Sequence, residues 1–233
     1  MRVVFVPGFM QRGQAWRAVA DLLPERYDAV LLEHRAHDLE GRLGEVAEAG
    51  EGAALAGYSL GGRLALHAAL RDPGHYAALV TVGTSAGIED TAARAERAEA
   101  DERLAAWMEG RQIEDIVSVW ERQPLFADQS DALVEEQRAD RLAAEPLQLA
   151  SLLRSAGQGA MAPVWNELHR LELPLLAIAG ASDQRYGEAA RRLAAAVPSG
   201  TARTVEHAGH APQLQRPETV AALLVDFLDE HLG

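Results

Sequence analysis

The stretch Ala53-Ala54-Leu55-Ala56-Gly57-Tyr58-Ser59-Leu60-Gly61-Gly62-Arg63-Leu64-Ala65-Leu66-His67 constrains this chain more than any other. An apolar run enters Gly57-x-Ser59-x-Gly61, and from Leu60 onward the apolar period becomes helical, so the segment reads as strand, sharp turn and helix. A serine on so tight a turn sits in strained backbone. That is tolerated only where the residues two before and two after it carry no Cβ to strike the adjoining strand and helix. Gly57 and Gly61 meet that need. The turn also sets the Ser59 hydroxyl at a helix N-terminus, with the Leu60 N–H aimed at any negative charge that develops there. Gly-x-Ser-x-Gly alone is short enough to occur by chance in a loop, so a nucleophilic serine requires an acid and a histidine elsewhere in the chain.

Composition narrows the chemistry. There is no cysteine, which removes thiolate nucleophiles, disulfides and cysteine zinc sites. There is no lysine either, and all 22 basic residues are arginine. Schiff-base chemistry and the phosphate-binding lysine of P-loops go with it. A net charge of −13 argues against a nucleic-acid surface but leaves room for a small anionic substrate, since a few pocket arginines can outweigh the global field locally. At 233 residues and 48% hydrophobic, the sequence suits one globular domain, 1–233, carrying an insertion. Met1-Arg2 leads straight into a strand and no apolar stretch is long enough to span a bilayer, so a soluble, cytoplasmic protein without a membrane partner is expected. The sequence leaves the oligomeric state open.

The pass along the chain gives alternating strands and helices. Strands are expected at 2–6, 29–32, 53–58, 78–83, 173–180 and 201–205. A helical pattern runs through Trp16, Val19, Ala20, Leu22 and Leu23 to Pro24, and others cover 39–49, 188–196 and 217–231. This is the pattern of a largely parallel sheet covered by helices. From about 88 to 168 the strand signal stops and charged, Ala-rich helical stretches follow at 92–108, 113–120, 132–143 and 147–156. Most of their charges read as solvated faces. A helical block inserted between strands is also the usual form of a lid over the carboxyl ends of the sheet. His34 and His37, flanked by Glu33 and Asp38, read as a polar loop rather than a metal site, and no cofactor or metal is implied.

Asp183 and His210 complete the constellation. Ser59, Asp183 and His210 follow in that order, each just past the end of an expected strand. This is the order and placement of an α/β-hydrolase triad, in which imidazole takes the serine proton and the carboxylate fixes the imidazole tautomer. Asp183 could instead cap the next helix, and His207 is a rival base. The turn Pro7-Gly8-Phe9-Met10 after the first strand supplies a second oxyanion donor, the Phe9 N–H, beside that of Leu60.

The sequence resembles the α/β-hydrolase superfamily and, within it, the 2-succinyl-6-hydroxy-2,4-cyclohexadiene-1-carboxylate synthase family of menaquinone biosynthesis. The resemblance rests on the elbow itself, Arg94 to Leu104, Trp120-Glu121-Arg122-Gln123-Pro124-Leu125-Phe126, Arg138-Ala139-Asp140-Arg141-Leu142 and Leu152 to Gly159, and it covers nearly the whole chain. It implies a lyase whose histidine-activated serine removes a ring proton so that pyruvate leaves a substrate with three carboxylates. Arginine forks suit such a substrate. Arg63 lies one helical turn after Ser59 on the same face, where the resemblance implies a ligand clamp. It also implies substrate-binding roles for Arg97 and Arg154 in the inserted block, and for the aromatics Tyr58 and Trp120. Two features depart from the family: Pro7 replaces the usual histidine of the first oxyanion turn, and Glu33-His34-Arg35-Ala36-His37-Asp38 replaces the usual Asp-x-Pro-Gly-His-Gly loop. These bear on substrate choice more than on catalysis. A carboxylesterase or C–C bond hydrolase, and a non-catalytic binder, are the alternative readings.

Overall fold

The computed structural model describes all residues, 1–233. Strands β1 (Arg2–Val6), β2 (Asp28–Leu31), β3 (Ala54–Tyr58), β4 (Ala78–Val82), β5 (Leu175–Gly180) and β6 (Gly200–Val205) form one all-parallel sheet in the order β2-β1-β3-β4-β5-β6. In chain order the helices are α1 (Arg17–Ala20), α2 (Leu39–Gly50) and α3 (Leu60–Arg71), then a block between β4 and β5. That block comprises α4 (Thr91–Glu109), α5 (Ile113–Glu121), α6 (Asp131–Leu142) and α7 (Pro146–Ala156). After it come α8 (Gln184–Ala196), α9 (Pro212–Gln215) and α10 (Pro217–Leu232). No helix is long and apolar enough to cross a membrane.

The sheet is covered on both sides, so successive strand residues enter different cores. Val4, Leu55 and Leu79 pack with Leu43 of α2, Leu64 of α3 and Leu193 of α8. Val3, Phe5 and Val80 pack on the other face with Val19 of α1 and Leu224 and Phe227 of α10. The strand order reverses at β1, because the chain leaves it for β2 on one side and returns to β3 on the other. In open parallel sheets the crevice beyond the carboxyl ends of such strands is where ligands bind. Here the pairing of Val6 with Gly57 sets the turn after β1 beside the turn after β3.

The inserted helices have a core of their own, with Ala105 and Met108 of α4, Ile116 of α5 and Leu153 of α7. Met10, from the turn after β1, is 5% exposed and belongs to that core, and it holds a left-handed backbone with φ 56°.

Two expectations change in detail. The helix expected to run through Leu23 is one 3-10 turn, Gly13–Trp16, followed by the single turn of α1. Trp16 draws this segment onto the sheet: its Nε1 donates to the Val6 carbonyl at 3.2 Å and its ring lies 5.1 Å from that of Phe5. Helix α8 begins at Gln184 rather than 188 because the Asp183 side chain caps it. In the loop after β2, His34 turns inward and its Nδ1 lies 2.7 Å from Glu45 of α2. The same carboxylate accepts from the N–H groups of Arg35 and Ala36, so it braces the whole loop. Burial, then the nearby Arg42 charge, pull the His34 imidazole down to about 4.

Candidate active site

Ser59 sits at φ 49° and ψ −107°, a conformation that a non-glycine residue rarely adopts and that marks functional turns. The two glycines are sterically required. A Cβ on Gly57 would stand 2.5 Å from the Gly61 backbone, and one on Gly61 would stand 2.2 Å from the Val6 carbonyl oxygen. Backbone closes the turn from the other side, where the Ser59 N–H donates to Val82 O at 2.9 Å.

His210 is 3% exposed and reaches both partners. Its Nδ1 lies 2.8 Å from Asp183 Oδ2 and its Nε2 lies 3.4 Å from Ser59 Oγ. An ionised carboxylate only accepts, so Nδ1 carries the proton and the Nε2 lone pair faces the serine. A serine contact this long is common where no substrate is bound. Asp183 Oδ1 meanwhile accepts from the Tyr186 N–H at 3.2 Å. Both sequence readings of Asp183 therefore hold, with one oxygen capping α8 and the other orienting His210. His207, the rival base, is exposed and makes no hydrogen bond.

A cavity of about 270 Å³ opens at Ser59. Phe9 and Leu60 both line it, and the Phe9 N–H has no acceptor within the protein. Tyr58 and Trp120 form part of its aromatic wall, with Trp120 5.2 Å from the Phe9 ring and Tyr58 5.4 Å from the His210 ring. Burial pushes the Tyr58 phenol above its ordinary value.

The charge on this wall is one-sided. Arg63, Arg97, Arg141 and Arg185 line the cavity and no aspartate or glutamate does, although the chain as a whole carries −13. Arg97 is held from behind by Asp101 at 2.7 Å, and Arg141 by Glu121 at 3.1 Å. Arg63 has no such partner. It is 8% exposed, the only hydrogen bond of its side chain runs from Nη1 to the Met161 sulfur at 3.3 Å, and burial brings its guanidinium down to about 10. A buried cation without a counter-ion is costly in the free protein and ready to bind an anion.

A family model described as "Alpha/beta hydrolase family" matches residues 3–223. The chain belongs to the alpha/beta hydrolase family. A protein named 2-succinyl-6-hydroxy-2,4-cyclohexadiene-1-carboxylate synthase from Serratia proteamaculans (strain 568) is 27% identical over 245 residues, covering 97% of this chain and 92% of that protein. A Bacillus subtilis (strain 168) protein named for the same synthase activity is 30% identical over 177 residues, covering 75% of this chain but only 65% of its own length. The solved structure titled "Structure of MenH from S. aureus" superposes on the whole chain with a TM-score of 0.89 at 23% identity and 95% coverage of that chain, a likeness of fold.

Within this alpha/beta hydrolase the structure brings together Ser59, Asp183, His210, Phe9, Leu60, Tyr58, Arg63, Arg97 and Trp120, and it leaves one expected residue outside. Arg154 does not reach the cavity. It lies on the outer side of α7, where its guanidinium is taken up by Glu102 at 2.8 Å and by Glu109. The expected ligand role for Arg154 is thus corrected to an ion-paired tie between α7 and α4. The sequence reading missed Arg141, Arg185, Gln158 and Tyr186. Tyr186 had a usable signal: it falls three residues after Asp183, at the start of the same helix. Arg141 lies in the Arg138–Leu142 stretch that carries the resemblance, but periodicity gave it no signal, because the buried side of α6 is polar, formed by Gln137 and Arg141.

Proposed function

We propose that this enzyme is a carbon–oxygen lyase of menaquinone biosynthesis. It releases pyruvate from 2-succinyl-5-enolpyruvyl-6-hydroxy-3-cyclohexene-1-carboxylate and forms 2-succinyl-6-hydroxy-2,4-cyclohexadiene-1-carboxylate. The observation that carries the reading is the cavity wall with four arginines and no carboxylate, set against a serine–histidine pair. The names of the Serratia and Bacillus relatives support it.

The substrate's bonding indicates what each group does. The ring proton at C2 is acidified by the neighbouring succinyl ketone. His210 Nε2 takes the Ser59 proton as the Ser59 oxygen removes the C2 proton, and Asp183 stabilises the imidazolium. Charge moves onto the ketone oxygen, where the Phe9 and Leu60 N–H groups receive it. The electron pair then forms the C2–C3 double bond, the C3–C4 pair shifts to C4–C5, and the C5–O bond breaks. Enolpyruvate leaves with that oxygen, takes up a proton and tautomerises to pyruvate. Arg63, Arg97, Arg141 and Arg185 bind the carboxylates and orient C2 toward the serine.

The test is pyruvate release by purified protein supplied with the freshly made enolpyruvyl intermediate. Ser59→Ala should lower the rate by about 10²–10⁴-fold. Absence of pyruvate above background overturns the lyase reading. In that case an acyl-enzyme burst with a nitrophenyl ester would identify a carboxylesterase built on the same elbow.

A further inference from the structure

Four side chains beside the cavity form a hydrogen-bond network in which Arg97 donates both to Asp101 and, through Gln158, toward Tyr186. Arg97 Nε donates to Asp101 Oδ1 at 2.7 Å, and Arg97 Nη1 donates to Gln158 Oε1 at 3.2 Å. Gln158 Nε2 donates to the Tyr186 hydroxyl oxygen at 2.8 Å. A guanidinium can only donate. Arg97 therefore fixes which end of the Gln158 amide faces it, and the amide nitrogen must face Tyr186. The tyrosine oxygen is held as an acceptor, and no protein atom accepts its own proton. Tyr186 is 6% exposed, lines the cavity together with Arg63, and packs its ring 4.4 Å from that of His210.

We propose that the Tyr186 O–H is a substrate-binding donor, directed by the Arg97–Gln158 chain toward a carboxylate held at Arg63. A buried donor is normally satisfied, and a charged acceptor satisfies it most strongly. The hydroxyl thereby selects ligands that carry an anionic oxygen close to the Ser59–His210 pair. The ring of the same residue lies against His210, so the anion is bound beside the group that moves the proton. This inference rests on reading the cavity as a carboxylate site.

Tyr186→Phe keeps the ring and removes the proton. Succinate is the probe, followed through tryptophan fluorescence, since Trp120 lines the same cavity. The succinate Kd should rise by about tenfold in the variant. In turnover the KM for the tricarboxylate should rise similarly with kcat and its pH profile held, because the ring remains on His210. The variant leaves Gln158 Nε2 without a partner, so the double variant Tyr186→Phe/Gln158→Leu, which removes both ends of that bond, is measured as well. It should show at least the same weakening at the wild-type melting temperature. A Kd and a KM unchanged in both variants overturn the proposal. If wild-type protein releases no pyruvate yet binds succinate in a Tyr186-dependent way, the lyase reading falls and the donor stands. If pyruvate release is normal and indifferent to Tyr186→Phe, the donor falls and the lyase reading stands.

Discussion

Arg63 should make the free enzyme less stable and the liganded enzyme possible, so Arg63→Met should change stability and activity in opposite directions. The guanidinium is 8% exposed, has no carboxylate partner and sits in the first turn of α3, at the positive end of the helix dipole. Burial lowers it well below the ordinary guanidinium value, to about 10. A displacement of that size corresponds to about 3 kcal/mol of disfavoured charge. Because the folded value lies below the unfolded one, the penalty is present at every pH below about 10, and so throughout the working range. Methionine retains an unbranched stem to pack where the arginine stem did. Replacing a buried charge by an apolar residue of similar size commonly stabilises by about 1–4 kcal/mol, so a gain of about 1–3 kcal/mol is expected. Melting of the ligand-free variant should rise by about 2–4 °C for each kcal/mol gained. The kcat/KM for pyruvate release, followed by coupled reduction with NADH and lactate dehydrogenase, should fall by about 10²–10³-fold as a buried charge-assisted contact is lost. A ligand-free variant that melts below wild type, or one that turns over at the wild-type kcat/KM, would refute the reasoning.

Other expectations follow from the same geometry. Ser59→Gly relieves the φ 49° backbone and should stabilise the protein by about 1 kcal/mol in denaturant titration while abolishing turnover; a loss of stability would contradict the strain at this turn. His34 and His67 are both pulled down to about 4, chiefly by burial, so the unfolded chain protonates first. Stability should be full above about pH 6.5, decline as pH falls toward about 4, and flatten below it, by at most about 3 kcal/mol for each histidine. His67→Gln should reduce that slope in melting scans between pH 7 and 4, and an unchanged slope would remove His67 from the account. Arg154→Ala, which removes an arginine paired to Glu102 and Glu109 away from the cavity, should leave pyruvate release within about twofold. A large rise in KM would restore it as a ligand.

Much of this was legible in the sequence where the chain constrains itself locally. The elbow is readable because its two glycines flank Ser59 within one turn and crowd each other, a Cβ on Gly57 standing 2.5 Å from the Gly61 backbone. Asp183 and His210 are readable because each follows a strand whose end is fixed by its pairing in the sheet, the fully buried β5 and the more exposed β6. Arg63 follows from its distance of one helical turn from Ser59. The inserted helices are different, since a charged helix presents arginine on every side and only packing decides which side is inward. In α7 the buried stripe of Leu149, Leu152, Leu153 and Ala156 leaves Arg154 outside, whereas in α6 the inward stripe is itself polar. The Gln158–Tyr186 bond joins the end of the inserted block to α8 across the cavity, and spacing within either segment carries no trace of the other.

Met10 limits how such an enzyme can be rebuilt. It follows Phe9 in the turn after β1, yet its side chain is socketed among Ala105, Met108 and Ile116 of the inserted helices. A chimaera that transplants another enzyme's residues 91–156 into this scaffold would remove that socket. The left-handed turn presenting the Phe9 N–H would lose its anchor at the same time. Recombination of specificity between relatives therefore has a crossover rule: position 10 travels with the helices, although more than eighty residues of sequence separate them.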